Sequence, residues 1–520
     1  MCCRWSRAWD TDGNGMSFPV FDILARRADI GPDRVAMHDL ASGESVSYRQ
    51  LNLRAGRCAA LLETLGIVQG DRVAILCRNR IDFFELLFAC ARVGAILVPL
   101  NWRMPHFEIE PLLQDCGAEL LFFGAEDAAV AASITSGLVQ KIGLDDDGET
   151  GFRARADVLE PAAGRPHWPA DETWYLLYTS GTTGKPKAVM QTFGMAIANY
   201  INISQGMGLR EDDTTLNFLP LFHTGGINLT TLPALIMGAT VLVSQGFELE
   251  RTVGLLESGR LDNFFGVPAI YQAISLHAEF GQMDLSGVRS WACGGAPMSD
   301  QLLQQFAARG AVVLNGMGMT ETGPTVFLMD KANAGAKIGS VGKPQLLASV
   351  RLVGADGNDV PRGETGELWF SGLGTTPGYY NRPGATAEAL ADGKWLRSGD
   401  IGRQDEDGYF YIEGRLKDMY ISGGENVYPA EVENQLAEHP DVLEAAVLGV
   451  ADEKWGEVGC AYLLPRPGHS LPGAEELTAF CRQRLAAYKV PKSFIPVEDF
   501  PRTAAGKVQK HLLPEAASDP

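Results

Sequence analysis

The sequence predicts an α/β protein in which a large N-terminal domain precedes a small C-terminal domain. Apolar strand patterns alternate with helical patterns in two successive stretches, residues 21–170 and 174–321, which indicates two doubly wound sheets covered by helices. Between about residues 338 and 412, short strand patterns alternate with Asp-Gly turn signals, and a small β-barrel-like subdomain is expected there. Residues 417–520 mix strand and helix patterns, as expected of a compact α+β unit.

These patterns also predict where the domains begin and end. Residues 1–16 are expected to be a disordered leader, because Met1-Cys-Cys-Arg-Trp-Ser-Arg lacks the apolar segment of a secretory signal. Met16 is therefore a candidate for the true start. The N-terminal domain is predicted over residues 17–416 and the C-terminal domain over residues 417–520.

The first stretch reads as a βαβαβ unit, which favours a parallel sheet. Strands are predicted over Arg72–Leu76 and over residues 95–100 and 119–123. The helices between them are predicted over residues 83–93 and His106–Cys116.

The second stretch continues the alternation and places polar loops after its strands. Strands are predicted over residues 174–178, 188–191, 215–218, 241–243, 288–292 and 311–314 and over Asn263–Gly266. In open α/β sheets, ligands bind beyond the carboxyl ends of the strands. Four polar or glycine-rich segments fall at such ends: residues 178–187, 223–226, 294–297 and 315–321. Their convergence predicts one cleft for a nucleotide and a second small molecule.

The segment Tyr178-Thr-Ser-Gly-Thr-Thr-Gly-Lys-Pro-Lys187 has the chemistry of a polyphosphate-binding loop. Its glycines allow the backbone to approach a ligand closely, and its hydroxyls and lysines suit phosphate oxygens. It is not a Walker A loop, because Pro186 stands where that motif needs Ser or Thr, and because strand patterns flank it on both sides. The predicted phosphate-binding residues are Thr179, Ser180, Gly181, Thr182, Thr183, Gly184, Lys185 and Lys187.

The composition of the chain disfavours two classes of binding partner, nucleic acids and membranes. The chain has 520 residues, 46% hydrophobic and 21% charged, with a net charge of −20, which argues against binding to nucleic acid or an anionic membrane. The longest apolar run, residues 86–100, contains Arg92 and is too short to span a bilayer. Nine scattered cysteines without metal-binding spacing predict reduced, mostly buried thiols in a cytoplasmic protein. A nucleotide partner would need a local basic patch, which residues 501–510 can supply.

Five segments together resemble the motifs of the acyl-adenylate-forming superfamily, which includes acyl-CoA synthetases, aryl-CoA ligases, firefly-type luciferases and peptide-synthetase adenylation domains. The segments are, in chain order, the phosphate loop (178–187), an aromatic-Gly-x-Thr-Glu element (316–321), a ribose-binding segment (Ser398-Gly-Asp400), a hinge (414–426) and a catalytic-lysine loop (501–507). Their order and spacing fit over about residues 20–512, with the carboxylic acid–CoA ligases as the most similar members.

The resemblance implies two half-reactions in one cleft, with ATP and coenzyme A as co-substrates and Mg²⁺ as cofactor. A carboxylate attacks the α-phosphate of ATP and gives acyl-AMP and pyrophosphate, and a thiol then attacks the acyl carbonyl. By resemblance, Lys507 stabilises the pentavalent transition state, Thr320 bonds the α-phosphate and Glu321 ligates Mg²⁺. Asp400 and Arg415 would bind the ribose, since a carboxylate offers two acceptor oxygens.

Other roles also follow from the resemblance alone. The adenine slot would be lined by Gly294, Gly295, Ala296, Asn315, Gly316 and Met317, and Met317 replaces the aromatic residue that usually stacks on adenine. The acyl pocket would include Phe222, His223, Asn228, Gly294 and Met319. Coenzyme A would contact Gly423, Gly424, Trp455, Tyr488 and Lys489 after the C-terminal domain rotates about Lys417.

His223 is grouped with the catalytic residues because it would border the acyl pocket and move between half-reactions. It is not expected to be a general base, since a carboxylate substrate needs no deprotonation at neutral pH. The alternative interpretation of His223 is a structural histidine that follows an apolar strand.

Three classes of function remain open at this point. The leading interpretation is a carboxylic acid–CoA ligase acting on an aryl, arylpropenoic or medium-chain fatty acid, with a weak preference for an aromatic acid. The first alternative is an adenylating enzyme that loads a carrier protein, which is disfavoured because Phe222 is followed by His223 and not by Asp. The second is a luciferase-like oxygenase or a non-catalytic acyl-AMP binder. A homodimer is a possible assembly.

Overall fold

The computed structural model describes residues 18–135, 140–179, 186–296, 298–503 and 506–514. The predicted leader, residues 1–16, lies outside this range. The described chain is a mixed α/β protein with a larger N-terminal part and a smaller C-terminal part, which confirms the predicted fold class. Within it, no helix combines the length and apolarity that crossing a membrane requires.

The first large sheet has six strands and confirms the predicted βαβαβ unit. Its strands are, in spatial order, Lys187–Thr192, Thr173–Thr179, Ile96–Pro99, Arg72–Leu76, Leu120–Phe123 and Gln140–Gly143. All pairs are parallel except the first, in which Lys187–Thr192 runs antiparallel to Thr173–Thr179. The helices of this region are Ile23–Ile30, Tyr48–Thr64, Ile81–Val93, His106–Cys116, Ala128–Ser133 and Phe152–Ala156, with a 3₁₀ turn at Ala125–Asp127. A two-stranded sheet pairs Pro19–Phe21 with His167–Pro169.

The helix Ile81–Val93 explains why this region folds as a buried layer. Twelve of its residues are buried, so both sheet and neighbouring helices cover it, and its sequence is accordingly apolar on nearly every face. It ends at Gly94, whose φ of 81° lies in the left-handed region that favours glycine. The strand Ile96–Pro99 follows after one further residue.

The second set of predicted strands is divided among three sheets, and not gathered in one sheet as predicted. The strands predicted over residues 174–178 and 188–191 belong to the six-stranded sheet, where Thr173–Thr179 pairs with Ile96–Pro99. The remaining strands form two further sheets. One contains, in order, Thr214–Asn217, Thr240–Val243, Val35–Asp39 and Ser45–Ser47. The other contains Asn263–Gly266, Ser290–Cys293, Val313–Gly318, Thr325–Leu328 and Lys343–Pro344. The helices are Phe193–Met207, Thr231–Met237, Leu249–Glu257, Pro268–Ser275 and Asp300–Ala307, with short turns at Gly225–Leu229, Phe280–Gln282 and Thr320–Thr322. The strand Val35–Asp39 joins partners some 200 residues later, which local patterns could not indicate.

The β-rich region is an antiparallel sheet that follows these layers. It contains Ser349–Val353, Thr365–Ser371, Leu390–Ala391, Trp395–Gln404 and Phe410–Arg415, with the helix Pro383–Ala389 beside it. Among the described residues, no strand pairing closes this sheet into a barrel. The last strand extends to Arg415, three residues beyond the predicted limit, and this extension matters for the site.

The C-terminal part is a separate α+β layer. Its strands are, in spatial order, Glu425–Val427, Tyr420–Ser422, Gly456–Pro465 and Val442–Asp452, and Ser493–Pro496 pairs in parallel with Gly456–Pro465. Two helices, Pro429–Ala437 and Ala474–Arg482, and two 3₁₀ turns, Ala487–Lys489 and Lys510–Leu512, complete it. Its buried core contains Val432, Leu436 and Leu477 from these helices.

An aromatic cluster forms the centre of the core beneath the second set of strands. Phe306 is fully buried, with ring centroids 5.0 Å from Tyr271, 5.0 Å from Phe280 and 6.0 Å from Trp291. Such edge-to-face and tilted contacts add to the free energy of burial. The cluster therefore anchors the helix Asp300–Ala307 beneath the sheet that leads to the site.

The change Phe306→Ala should lower the free energy of unfolding by about 3–5 kcal/mol, because it removes buried aromatic surface and leaves a cavity. The same change at Phe107, which is 64% exposed, should alter it by less than about 0.5 kcal/mol. Urea titration followed by tryptophan fluorescence measures both. Similar losses in the two variants would contradict this assignment of the core.

Candidate active site

A short turn after the strand Val313–Gly318 carries two of the predicted catalytic residues. Thr320 and Glu321 lie in the 3₁₀ turn Thr320–Thr322, and Glu321 is buried. The phenol of Tyr379 donates a hydrogen bond of 2.9 Å to Glu321 Oε1, and the Thr376 N–H donates to the Glu321 carbonyl at 2.8 Å. Burial raises the pKa of Glu321, while its own backbone N–H, the Tyr379 hydrogen bond and nearby cations oppose that rise.

Asp400 and Arg415 face each other across two antiparallel strands. They are direct register partners, and Arg415 Nε donates to Asp400 Oδ1 at 2.8 Å. Asp400 is buried, whereas the Arg415 side chain is 41% exposed. Burial raises the pKa of Asp400, and the Arg415 guanidinium opposes it. A buried carboxylate with one oxygen bonded to an arginine can still accept hydroxyl donors at the site.

Lys507 reaches the same place from the other end of the chain. Its loop is held by bonds from the Lys507 N–H to Thr503 Oγ1 at 3.1 Å and from the Thr503 N–H to the Lys507 carbonyl at 2.7 Å. The lysine residue is exposed, although neighbouring protein atoms desolvate its ammonium group. Burial lowers its pKa and Arg415 lowers it further, whereas Asp400 and Glu321 raise it.

The structure therefore brings together four residues predicted at widely separated positions: Glu321, Asp400, Arg415 and Lys507. Each of the two carboxylates interacts electrostatically with both the lysine and the arginine. The two cations can attract an anionic ligand, although the two carboxylates balance part of their charge.

His223 lies on the border of this cleft. Burial, followed by the positive charges of Arg103 and Lys507, lowers the pKa of His223 to about 4. Its Nε2 is buried without a hydrogen-bond partner among the described residues, and its ring lies 4.7 Å from that of Phe222. The imidazole is therefore neutral near pH 7.

The phosphate loop is described only at its two ends. Thr179 and Lys187 are direct cross-strand partners, so residues 180–185, which lie outside the described residues, connect two antiparallel strands. Lys187 Nζ lies 5.1 Å from the centroid of the Tyr379 ring. Tyr379 thus contacts both the base of the phosphate loop and Glu321.

Tyr379 was not predicted from the sequence. It lies outside the sequence motifs that indicated the other site residues. Tyr379 is far from the phosphate loop in the sequence, so no local pattern connects the two. Only the isolated bridge between Tyr379 and Val189 shows that the two segments meet.

The adenine-slot segments lie on adjacent strands. Cys293 pairs with Asn315, so residues 294–296, which follow the strand Ser290–Cys293, lie beside residues 315–317 of the strand Val313–Gly318. A Cβ at Gly294 would lie 3.1 Å from Phe265 and 3.3 Å from the Gly316 carbonyl, which explains the need for glycine there. Met317 and Met319 are half-buried and pack against the core cluster of the β-rich sheet.

Asn228 occupies a different position from the one predicted. It was expected on the wall of the acyl pocket, but it is only 1% exposed, and its amide is bonded to Tyr175, Gln191 and Gly323. Its side chain is used for internal bonds, which argues against direct contact with an acyl group.

The residues predicted to bind coenzyme A lie on the C-terminal part. Trp455 is 38% exposed and covers Gly423, where a Cβ would lie 2.7 Å from the indole ring. Open space surrounds Gly424, and Lys489, which neighbours Tyr488 in a 3₁₀ turn, forms an ion pair of 2.7 Å with Glu431.

The predicted hinge residue follows the strand that carries Arg415. Lys417 is exposed in a turn in which the N–H groups of Asp418 and Met419 donate to the Arg415 carbonyl at 3.0 and 3.1 Å. Its charge lowers the pKa of Lys507, so the two lysines are near each other.

Whether this site can hold Mg²⁺ depends on Glu321. Among the described residues, no group of three His, Cys, Asp or Glu side chains could hold a metal ion by itself. Mg²⁺ commonly binds through one or two carboxylates together with substrate phosphates and waters, so a single buried Glu beside a phosphate loop fits this ion. When bound, Mg²⁺ neutralises phosphate charge.

Comparison with known proteins identifies the family. A profile described as AMP-binding enzyme matches residues 24–380, and one described as AMP-binding enzyme C-terminal domain matches residues 431–507. The chain belongs to the AMP-binding enzyme family. Among its relatives in this family, a feruloyl-CoA synthase from Amycolatopsis sp is 41% identical over 95% of this chain and 97% of its own length. An indoleacetate–CoA ligase from Aromatoleum aromaticum is 37% identical over 94% of this chain and 96% of its own length.

Solved structures of AMP-binding enzymes share the fold. The o-succinylbenzoate CoA synthetase MenE from Bacillus subtilis, in complex with an acyl-adenylate intermediate, has a TM-score of 0.86 and 31% identity over 96% of this chain and 99% of its own. The anthranilate CoA ligase AuaEII, in complex with anthranoyl-AMP, has a TM-score of 0.88 and 26% identity over 96% of this chain and 97% of its own.

The change Tyr379→Phe should shift the acid limb of adenylation to higher pH. The phenol hydrogen bond helps to keep the pKa of Glu321 down against burial, so its loss raises that pKa further. As pH falls, the variant then protonates Glu321 before the wild type does, and the anionic form that binds a cation is lost earlier. At pH 7 we expect the KM for MgATP to rise by roughly tenfold, as for a lost hydrogen bond to a charged group.

ATP–pyrophosphate exchange measured from pH 5 to pH 9 tests this expectation. Tyr380→Phe provides a matched control on the neighbouring residue, which packs against a core cluster instead. An unchanged acid limb in Tyr379→Phe would contradict the assigned role of the phenol.

Proposed function

We propose that this AMP-forming carboxylic acid–CoA ligase activates an aryl or arylpropenoic acid. The ligase chemistry rests on one observation above others: Lys507 lies within electrostatic reach of Glu321, Asp400 and Arg415 in a single cleft. A nucleotide, a carboxylate and a leaving pyrophosphate all need cations and hydrogen-bond donors there. Such prearranged charge is the main way in which proteins accelerate phosphoryl and adenylyl transfer.

In the first half-reaction, a carboxylate oxygen of the acid attacks the α-phosphorus of ATP, and the bond to pyrophosphate breaks. Lys507 stabilises the negative charge that develops on the α-phosphate, and Asp400 and Arg415 hold the ribose. Thr320 bonds the α-phosphate, and Glu321 holds Mg²⁺. Residues 179–187 bind the departing phosphates.

In the second half-reaction, the sulfur of coenzyme A attacks the acyl carbonyl, the bond to AMP breaks and the thiol proton leaves. We propose that the C-terminal domain, residues 417–520, rotates about Lys417 before this step and withdraws Lys507. The surface of Gly423, Gly424 and Trp455 then faces the cleft. The exposure of Trp455 and the open space around Gly424 support this assignment.

The preference for an aromatic acid has two supports. Relatives that cover nearly all of this chain are named for ferulate and indoleacetate. The Phe222 ring lies edge-on to Trp102 with centroids 6.2 Å apart and lies beside His223, so aromatic side chains border the cleft near Lys507. Aromatic walls favour planar rings through offset and edge-to-face contacts.

Two further proposals complete this function. The first is assembly as a homodimer. The proposed location is the cytoplasm, which is supported by seven unpaired, buried cysteines among the described residues.

A panel of acids tests the substrate class. ATP–pyrophosphate exchange with benzoate, cinnamate, hexanoate and dodecanoate should give a kcat/KM at least about tenfold higher for the preferred aromatic acid, as expected for a pocket that selects by shape. Adding coenzyme A should yield the corresponding thioester, detected by mass spectrometry. Best exchange with dodecanoate would refute the aromatic preference, and exchange that never yields a CoA thioester would refute the ligase.

Two lysine variants test the separation of the half-reactions. Lys507→Ala should slow adenylation by on the order of 10²–10³-fold, as for removal of a key electrostatic donor, and should leave thioester formation from supplied acyl-AMP nearly intact. Lys417→Pro should show the opposite pattern, because proline restricts the backbone rotation that the hinge needs.

Controls are available on the same chain. Lys394→Ala removes an exposed lysine distant in sequence from both loops and should leave both rates unchanged. Lys417→Ala keeps the backbone freedom of the hinge and should retain thioester formation. Equal damage to both half-reactions in Lys507→Ala and Lys417→Pro would count against domain rotation.

A further inference from the structure

Two buried amide side chains hold the backbone of the turn that carries Thr320 and Glu321. Gln191 Nε2 donates to the Thr320 carbonyl at 2.8 Å, and Asn228 Nδ2 donates to the Gly323 carbonyl at 3.2 Å. Gln191 is 0% exposed and Asn228 is 1% exposed. The turn is therefore held at its first residue and just after its last.

The first of these bonds acts directly on Glu321. The Thr320 carbonyl and the Glu321 N–H belong to one planar peptide unit, so a donor that fixes the carbonyl also fixes the direction of that N–H. The same N–H is one of the groups that stabilise the Glu321 carboxylate. Because Thr376 also holds the Glu321 carbonyl at 2.8 Å, both peptide units beside Glu321 are fixed.

The two amides are oriented by their own partners. The Tyr175 hydroxyl donates to Asn228 Oδ1 at 2.5 Å, which leaves the NH₂ group of Asn228 to face Gly323 and the Gln191 Oε1 at 3.4 Å. Asn199 Nδ2 donates to the Asn228 carbonyl. Each amide therefore has a defined direction, as a buried polar group requires.

This hydrogen-bond network begins on the strands that flank the phosphate loop. Gln191 and Tyr175 are direct cross-strand partners on the two strands that lead into and out of the phosphate loop. The network thus runs from the base of that loop to the turn of Thr320 and Glu321. A displacement of either strand would be transmitted to Glu321 through two hydrogen bonds.

Burying amides is costly unless they are bonded, and an apolar side chain would fill the same space without that cost. Here Gln191 and Asn228 donate to backbone carbonyls of one short turn beside the site. Their shared target favours a role in placing that turn over a role in packing alone.

We propose that Gln191 and Asn228 are positioning residues for adenylation, which set the geometry of Thr320 and Glu321 relative to the phosphate loop. This inference rests on the proposed function, in which Glu321 holds Mg²⁺ and Thr320 bonds the α-phosphate. Acyl-AMP keeps its α-phosphate but no longer carries the β- and γ-phosphates, so thioester formation should depend less on the two amides than adenylation does.

The variant Gln191→Met keeps the length of the side chain and removes the donor to Thr320. We expect adenylation to fall about 10- to 100-fold, because the Thr320 carbonyl is left without its donor. Thioester formation from supplied acyl-AMP should change less than about threefold, and the dissociation constant for MgATP, measured by calorimetry without acid, should rise by about tenfold. Active-site titration normalises each rate to folded enzyme.

The variant Gln191→Glu adds a readout that a packing role would not produce. An ionised carboxylate cannot donate to the Thr320 carbonyl, whereas a protonated carboxyl group can. Burial should raise the pKa of the new carboxyl group, so adenylation relative to wild type should recover as pH falls from 8 towards 5.5. The matched control is Asn202→Asp, which alters another buried amide that donates to a backbone carbonyl, that of Thr325 at 3.4 Å.

The outcomes are distinguishable. The positioning role would be overturned if Gln191→Met kept adenylation within twofold of wild type, or if it lost both half-reactions equally. It would also be overturned if Asn202→Asp showed the same difference between the two half-reactions as the Gln191 variants. Wild-type enzyme that exchanges pyrophosphate with no acid would instead refute the proposed function. In that case, MgATP affinity still tests whether Gln191 and Asn228 place Glu321.

Discussion

The cost of holding charges inside protein is the constraint on which this site depends. Asp400 and Glu321 are buried, and burial alone would raise the pKa of each carboxyl group. Arg415 and Lys507 offset that cost, while the two carboxylates keep the lysine charged against its own burial. Each carboxylate is therefore stabilised by the two cations and the lysine charge by the two carboxylates, whereas the arginine and the lysine repel each other.

This mutual dependence gives the C-terminal part a chemical role. Lys507 comes from a loop held within that part, but its carboxylate partners belong to the N-terminal part. Rotation of the smaller part would remove one cation from the cleft and leave Arg415 as the remaining partner of Asp400. In a protein with a net charge of −20, such local cations decide where an anionic nucleotide binds.

The acidic turn and the strands of the phosphate loop are connected by hydrogen bonds and by one contact between a lysine and an aromatic ring. Tyr379 contacts both Lys187 and Glu321, and Gln191 connects the outgoing strand of the loop to Thr320. Neutral donors can orient a backbone without adding charge to a crowded site. The arrangement therefore separates two tasks, namely charge balance by ionised groups and placement by buried amides and a phenol.

The sequence by itself determined the fold class and the family, and it predicted the four charged residues that the structure brings together. Hydrophobic periodicity is local, so the strand Arg72–Leu76 and the helix His106–Cys116 could be read from neighbouring residues alone. Motifs such as Ser398-Gly-Asp400 are contiguous for the same reason. Tertiary structure decided the rest: the pairing of Val35–Asp39 with Thr240–Val243, the contact of Tyr379 with Glu321, and the burial of Asn228, which was expected at the pocket wall. These depend on contacts between segments up to about 200 residues apart, for which local patterns carry no signal.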